Sequence, residues 1–267
     1  MSVAADPYAE VAASRRFLTG LNPLAKLAGP LPAILLLVFV RDLATPSVFL
    51  ALGYVVILTG ARLTRTVALI LGVALPLGVV VFGVGMSVWI DASRIDRSVE
   101  VVSIGAWTLY GGALEIGFAT SLRLAAIVAL ALIAGLTTTG PDLVRASVQQ
   151  LRVPYRVGYT ALAAFRFVPR FRHELDIIRQ AHRVRGAHGG RFGVVARWWG
   201  YVVPLLAGAI RHAERVALAM DARAFGAFPD RTERHLVPFG VRDVVFLAAC
   251  WLVSAAVFVV LFSWTLG

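Results

Sequence analysis

Apolar residues gather into five long stretches of this chain, at about 24–40, 47–60, 66–90, 115–136 and 243–264, and clusters of polar residues divide them. A helix needs roughly 20 residues to cross about 30 Å of hydrocarbon, because every backbone group must find its partner inside the segment. The pattern therefore predicts an all-α polytopic membrane protein with about five transmembrane helices. Pro30 and Pro32 stand near the start of the first stretch, the second is short unless it recruits its flanks, and Pro76 predicts a kink in the third.

Between the fourth stretch and the last, helical periodicity replaces continuous hydrophobicity, over too many residues for a plain loop. Pro141 with Asp142 predicts a helix start. A second helix follows, bent or interrupted near Pro169 and closing at Gly186 and the glycines beyond it. A third, at about 194–224, sets Val195, Trp198, Trp199, Val202, Leu206, Ala209, Ala213, Val216 and Met220 on one stripe. Its core, "WWGYVVPLLAGAI" at 198–210, is too short to span and is closed by Arg197 and Arg211, which predicts an interfacial position. A true crossing is the rival topology. The chain thus divides into an N-terminal cytoplasmic segment (1–23), four transmembrane helices (24–137), a cytoplasmic or interfacial helical domain (138–240) and a C-terminal transmembrane helix (241–267).

Composition agrees with a membrane protein: 59% of the 267 residues are hydrophobic and 15% charged. Residues 1–20 show no apolar core behind a basic start, so no cleaved secretory signal is expected. The net charge of +11 invites a nucleic-acid reading, but 16 of the 26 Lys and Arg lie between 141 and 240, beside only seven acids. Clustering of this kind is how a membrane protein marks its cytoplasmic side. Arg15, Arg16, Lys26, Arg62 and Arg65 alternate consistently with it, which predicts a cell-membrane protein with its N-terminus inside, its C-terminus outside and no nucleic-acid partner. Cys250 is the single cysteine, so neither an intrachain disulfide nor a cysteine metal site is available.

Two helix ends in the basic region look alike: "AHRVRG" at 181–186 and "AMDARA" at 219–224. Each places an arginine four residues after an alanine and just before a small residue, and an Arg-His pair stands 12 or 13 residues upstream of each, a weak internal repeat. Arginine near a helix C-terminus complements the dipole and caps carbonyls, which is ordinary termination. The alternative is a plug, a planar guanidinium with five donors in a fixed fork and small neighbours that let it approach a partner closely. Two plugs imply two sockets, hence a pair of similar partner subunits.

At these residues, together with "LNPLAKL" (21–27), "LRL" (122–124) and the stretch from "TTTGPDLVRAS" to "AHRVRG", the chain resembles the transmembrane T component of energy-coupling factor (ECF) importers, the family of EcfT, CbiQ and BioN. The resemblance implies that the two helix ends dock into grooves of two ABC ATPase subunits. It assigns that role to Val184, Arg185 and Gly186, and to Ala222, Arg223 and Ala224. It further implies a separate substrate-binding S component, uptake of a vitamin or transition-metal ion, and ATP bound by the partners, with no cofactor in this chain. Val at 184 and Ala at 224 depart from the family's usual Ala and Gly.

Other candidates are Arg123 within the fourth span, where an ionisable residue is functional by default unless it bonds carbonyls or snorkels. Arg166 and Arg170 flank Pro169 and either join helices or face lipid phosphates. No two histidines stand three or four apart, "HELDI" lacks the second histidine of a zinc motif, and no P-loop exists, since Lys26 is the only lysine. No nucleophile, base and metal constellation argues for an enzyme. A self-contained secondary transporter or channel is the alternative function, motivated by Arg123 and the proline-bearing spans.

Overall fold

The computed structural model describes residues 16–90, 100–104, 107–184, 193–229, 232–233 and 235–262. They form two compact units, one of residues 1–139 with 238–267 and one of residues 140–237.

In the first unit, helices α1 (Pro23–Ala28) and α2 (Leu31–Leu37) occupy the first apolar stretch, which is broken in two rather than continuous. The Asn22 side chain accepts from the Leu24 N–H at 2.9 Å and Pro23 takes the first turn, where its missing N–H costs nothing. The break falls at Gly29 and Pro30; a Cβ at Gly29 would come within 2.9 Å of the Phe246 ring, so only glycine allows that approach. Helix α3 (Ala44–Gly60) begins where Asp42 accepts from both the Thr45 N–H (2.7 Å) and its hydroxyl (2.8 Å). Helix α4 (Arg65–Trp89) contains a π-helical turn at Ile70–Ala74, just ahead of Pro76. The proline ring crowds the carbonyl four residues back, at Gly72, and the wider turn gives it room, which is the local form of the kink read from the sequence.

A two-stranded antiparallel hairpin, β1 (Glu100–Ile104) and β2 (Trp107–Tyr110), stands between the third and fourth apolar stretches. It leads into α5 (Gly111–Thr137), and α9 (Val241–Phe262) completes the unit. Among the described residues, three helices, Arg65–Trp89, Gly111–Thr137 and Val241–Leu261, are long and apolar enough to cross a membrane; Pro23–Leu37 and Ala44–Gly60 are shorter apolar segments. The fold is that of an all-α polytopic membrane protein.

Helix α5 is the centre, with Ala125, Ala126, Ala129, Leu130 and Ile133 buried. Its neighbours meet it through small residues: a side chain added at Gly117 would lie 2.5 Å from the Gly83 carbonyl oxygen of α4, and one at Gly53 of α3 would lie 3.2 Å from Ala129 Cβ. The large residues of α4 (Val80, Val81, Phe82, Trp89) point outward and are exposed. This inversion suits lipid, where apolar surface gains nothing by hiding and close van der Waals contact drives association.

Three cations inside this unit each bind the carboxy end of a helix they do not belong to. Arg16 donates to the Leu58 and Ala61 carbonyls closing α3, at 3.0 and 2.7 Å. Lys26, only 2% exposed, donates to the Thr137 carbonyl at the end of α5, at 2.8 Å. Arg123 donates to the Val40 carbonyl, just past α2, at 3.0 Å. Unpaired terminal carbonyls carry the negative end of the helix dipole, so each pairing satisfies acceptors with a cation, and at Lys26 it also pairs a buried charge. Arg123 takes the carbonyl-bonded, structural alternative of its two readings. Asp243, 5% exposed, closes the unit: its Oδ1 accepts from the Asn22 N–H at 2.6 Å and its Oδ2 from the Gly240 N–H at 2.8 Å.

The second unit comprises α6 (Gly140–Gln150), α7 (Tyr155–Val184) and α8 (Gly193–Asp221). Pro169 does not interrupt α7, and Pro204 lies inside α8. The two long helices form an antiparallel pair. Phe167 meets the His212 ring at 4.7 Å between centroids, His182 meets Tyr201 at 5.2 Å, and Glu174 packs over Gly208. The packed stripe of α8 is therefore Tyr201, Leu205, Gly208 and His212. Trp198, Trp199, Val202 and Leu206, on the stripe read from the sequence as a face for lipid or protein, are exposed beside it. Helix α8 is not among the helices long and apolar enough to cross.

Candidate partner-docking site

The second arginine-bearing end closes α8 with a Schellman turn. The Phe225 N–H bonds the Met220 carbonyl at 3.0 Å and the Ala224 N–H bonds the Asp221 carbonyl at 2.9 Å, the two reversed bonds that define the motif. Arg223 is its cap residue, and Ala224 carries the left-handed conformation, φ +54°. Glycine enters that region without steric cost, whereas an alanine Cβ costs roughly 1–2 kcal/mol there. Ala at 224 is thus a larger departure than its size suggests. Ala224→Gly is expected to relieve about 1 kcal/mol of strain and slow exchange of the Phe225 amide proton, as read by hydrogen–deuterium exchange.

The segment beyond this turn is bound to the start of α7. Phe225 sits edge-on to Tyr155 and Tyr159, with centroids at 5.9 and 6.5 Å. The Tyr155 hydroxyl donates to the Phe228 carbonyl at 2.6 Å, the Arg156 guanidinium to the Gly226 carbonyl, and the Tyr159 hydroxyl to Glu233 Oε2 at 2.8 Å. Gly226 has φ +90°, and a side chain there would meet Arg156 Nε at 3.0 Å, so glycine is required twice over. Gln149 and Gln150 hold the next stretch through the His235 and Val237 carbonyls. The Arg223 side chain is exposed and, among the described residues, its guanidinium makes no hydrogen bond or ion pair. A braced mount with a free guanidinium is what a plug needs.

At the first end, Val184 is the last residue of α7 and is 89% exposed. Arg185 and Gly186 lie outside the described residues. Ala222 is exposed beside Arg223. Because the Arg223 turn is held at the start of α7 and Val184 ends it, the two ends stand about 45 Å apart along a 30-residue helix. Arg166, Pro169 and Arg170 are exposed midway along α7, and neither guanidinium has a partner among the described residues, so they do not join the helices. The brace of Tyr155, Arg156 and Tyr159 escaped the sequence reading. Its signal was the Tyr-Arg-x-x-Tyr spacing, which puts two rings on one helical face next to a cation.

Fold and site together define a polytopic membrane protein with an exposed arginine on a braced helix end, and with no cluster of metal-ligating side chains among the described residues. Residues 14–234, most of the chain, match the family described as CbiQ, cobalt transport protein. The chain belongs to this family, and the resemblance to ECF T components read from its motifs holds. It is 30% identical over 167 residues to the energy-coupling factor transporter transmembrane protein EcfT of Bacillus selenitireducens, covering 59% of this chain and 62% of that one. With the EcfT of Staphylococcus aureus it shares 30% over 162 residues, 57% of this chain and 60% of the relative. A Bifidobacterium longum protein provisionally named as an ABC transporter ATP-binding protein is 28% identical over 174 residues, 61% of this chain and 22% of that protein. The matched stretch spans about three fifths of the length of the two EcfT relatives.

Proposed function

We propose that this chain is the energy-transmitting scaffold of an ECF-type importer, docking two ABC ATPases through Arg185 and Arg223 and passing their movement to a separate substrate-binding membrane subunit. The observation that carries this reading is the exposed, unpartnered Arg223 on a turn braced by α7. A guanidinium so held loses little freedom on docking and offers a bidentate fork to a carboxylate or to backbone carbonyls. ATP is bound by the partners, and the chain needs no cofactor. The exposed apolar flank of α8 (Trp199, Val202, Val203, Leu206) lies in the membrane interface or against the substrate-binding subunit. The helical unit of residues 140–237 is cytoplasmic, with the N-terminus inside and the C-terminus outside. The cargo is a vitamin or a transition-metal ion, and the cobalt transport description of the matched family supports the metal part of that reading.

Purification of the full-length chain from its native membrane is expected to bring down one or two ABC ATPases and a small membrane protein, identifiable by mass spectrometry. In proteoliposomes the whole assembly should take up its cargo only with ATP, and the chain alone should take up nothing. Uptake by the chain alone would overturn the scaffold reading in favour of a self-contained transporter.

A further inference from the structure

The middle of the α7–α8 pair carries a feature that the docking ends do not account for. Contacts of Phe167 with His212 and of Glu174 with Gly208 fix the antiparallel register and set Arg170 level with Arg211, and Arg166 level with Arg215. Successive residues turn about 100° around a helix, so Arg166 and Arg170 lie to one side of the packed position Phe167, and Arg211 and Arg215 to one side of His212. Glu174 and Gly208, each turned toward that side of its own helix, touch one another, which shows that both pairs of arginines rise from the same face. All four are exposed and, among the described residues, none of their guanidiniums makes a hydrogen bond or ion pair. Glu174 at the seam, His212 on the packed stripe, Glu214 on the outer side of α8 and His173 beside Arg170 are titratable groups at the same level, and neither carboxylate is in an ion pair among the described residues.

The same rotation puts Trp199, Val202, Val203, Leu206 and Ile210 on the opposite flank of α8, also exposed. An amphipathic pair that lays that flank toward the bilayer turns the arginines away from lipid headgroups. We infer that Arg166, Arg170, Arg211 and Arg215 form a docking face for acidic side chains of the ATPase pair, between the two arginine-bearing ends. This rests on the scaffold reading and adds a third contact to it. Guanidinium forks pair bidentately with carboxylates, and a cluster of four arginines that outnumbers its two neighbouring carboxylates speeds encounter with an acidic surface and makes binding salt-dependent.

The test uses the purified full-length assembly in nanodiscs, with ATPase release followed against rising salt. Arg166→Glu with Arg170→Glu is expected to weaken ATPase binding on the order of tenfold and to lower the salt concentration of release, while the corresponding pair of lysine substitutions restores most of the affinity. An Arg170→Lys variant adds a zero-length arm: the natural chain's single lysine, Lys26, is 2% exposed, so carbodiimide coupling should report the new amine joined to an ATPase carboxylate. No such coupling, or an unchanged release curve in a monodisperse, helical double-glutamate variant, overturns the proposal. So does an effect seen only as a lost dependence on phosphatidylglycerol in the nanodisc, which would assign the face to lipid. If Arg223→Glu releases the ATPases and the Arg166/Arg170 reversal does not, the scaffold stands and this face fails. If neither releases them, the scaffold itself fails.

Discussion

Reversing both docking charges, Arg185→Glu with Arg223→Glu, is expected to strip the ATPases from the purified assembly and abolish ATP-driven uptake, with the membrane-embedded part still folded. Removing one partner of a buried, hydrogen-bonded charge pair costs about 2–5 kcal/mol at an interface, and reversal adds repulsion. Two such losses exceed what the remaining contacts of an interface of ordinary affinity hold. Each single variant should weaken binding less than the double. Arg223→Lys separates charge from geometry: lysine keeps the charge but not the planar fork, so a loss nearly as large as with alanine means that bidentate pairing is the working interaction. Co-purification stoichiometry and uptake in proteoliposomes are the two readouts. Undiminished ATPase recovery from the double variant would remove the basis of the scaffold reading.

Gly117→Leu is expected to be nearly as damaging, by a different route. The first carbon of any side chain there falls 2.5 Å from the Gly83 carbonyl oxygen and 2.2 Å from the Ser87 hydroxyl oxygen. Serine can turn aside, but a backbone carbonyl inside a helix cannot, so α4 and α5 must separate. Overpacking costs about 1–3 kcal/mol in a soluble core. The upper end, about 3 kcal/mol, is expected here because small-residue contacts are the main force holding these helices together in lipid. Gly85→Leu is the matched control: it lies in α4, across the same seam, but faces open space. The folded, monodisperse fraction after extraction should collapse for Gly117→Leu and change little for Gly85→Leu. Equal yields would show that the α4–α5 seam is not where the unit's stability resides.

Much of the architecture was legible because hydrophobic runs and lipid thickness are linked directly. The long spans came out within a few residues, and Pro76 marked its irregular turn. Short range defeated the first span, since nothing in "LAGPLP" alone reveals that Gly29 must make way for Phe246, more than 200 positions later. Periodicity found the α8 helix and one apolar flank of it, but not the flank that packs on α7. Both of its sides are apolar, and only the partner helix decides which of them packs. Lys26 is the clearest omission. It was counted among the charges that mark the inner side, yet it is buried on a carbonyl 111 residues away, a pairing that local reading cannot supply. At the docking ends, the arginine pair stood out in the sequence. The left-handed Ala224 did not, because the demand for positive φ comes from the reversed hydrogen bonds of the turn.

The long reach of Lys26 bears on how the chain is made. A ribosome adds about 5–20 residues per second, so the ammonium group waits on the order of ten seconds before Thr137 exists to receive it. During that interval the Lys26 charge lacks the carbonyl that receives it in the folded unit. Helix α9, which brings Asp243 to the Asn22 amide, is made later still, so this contact fastens together segments that are synthesised far apart in time.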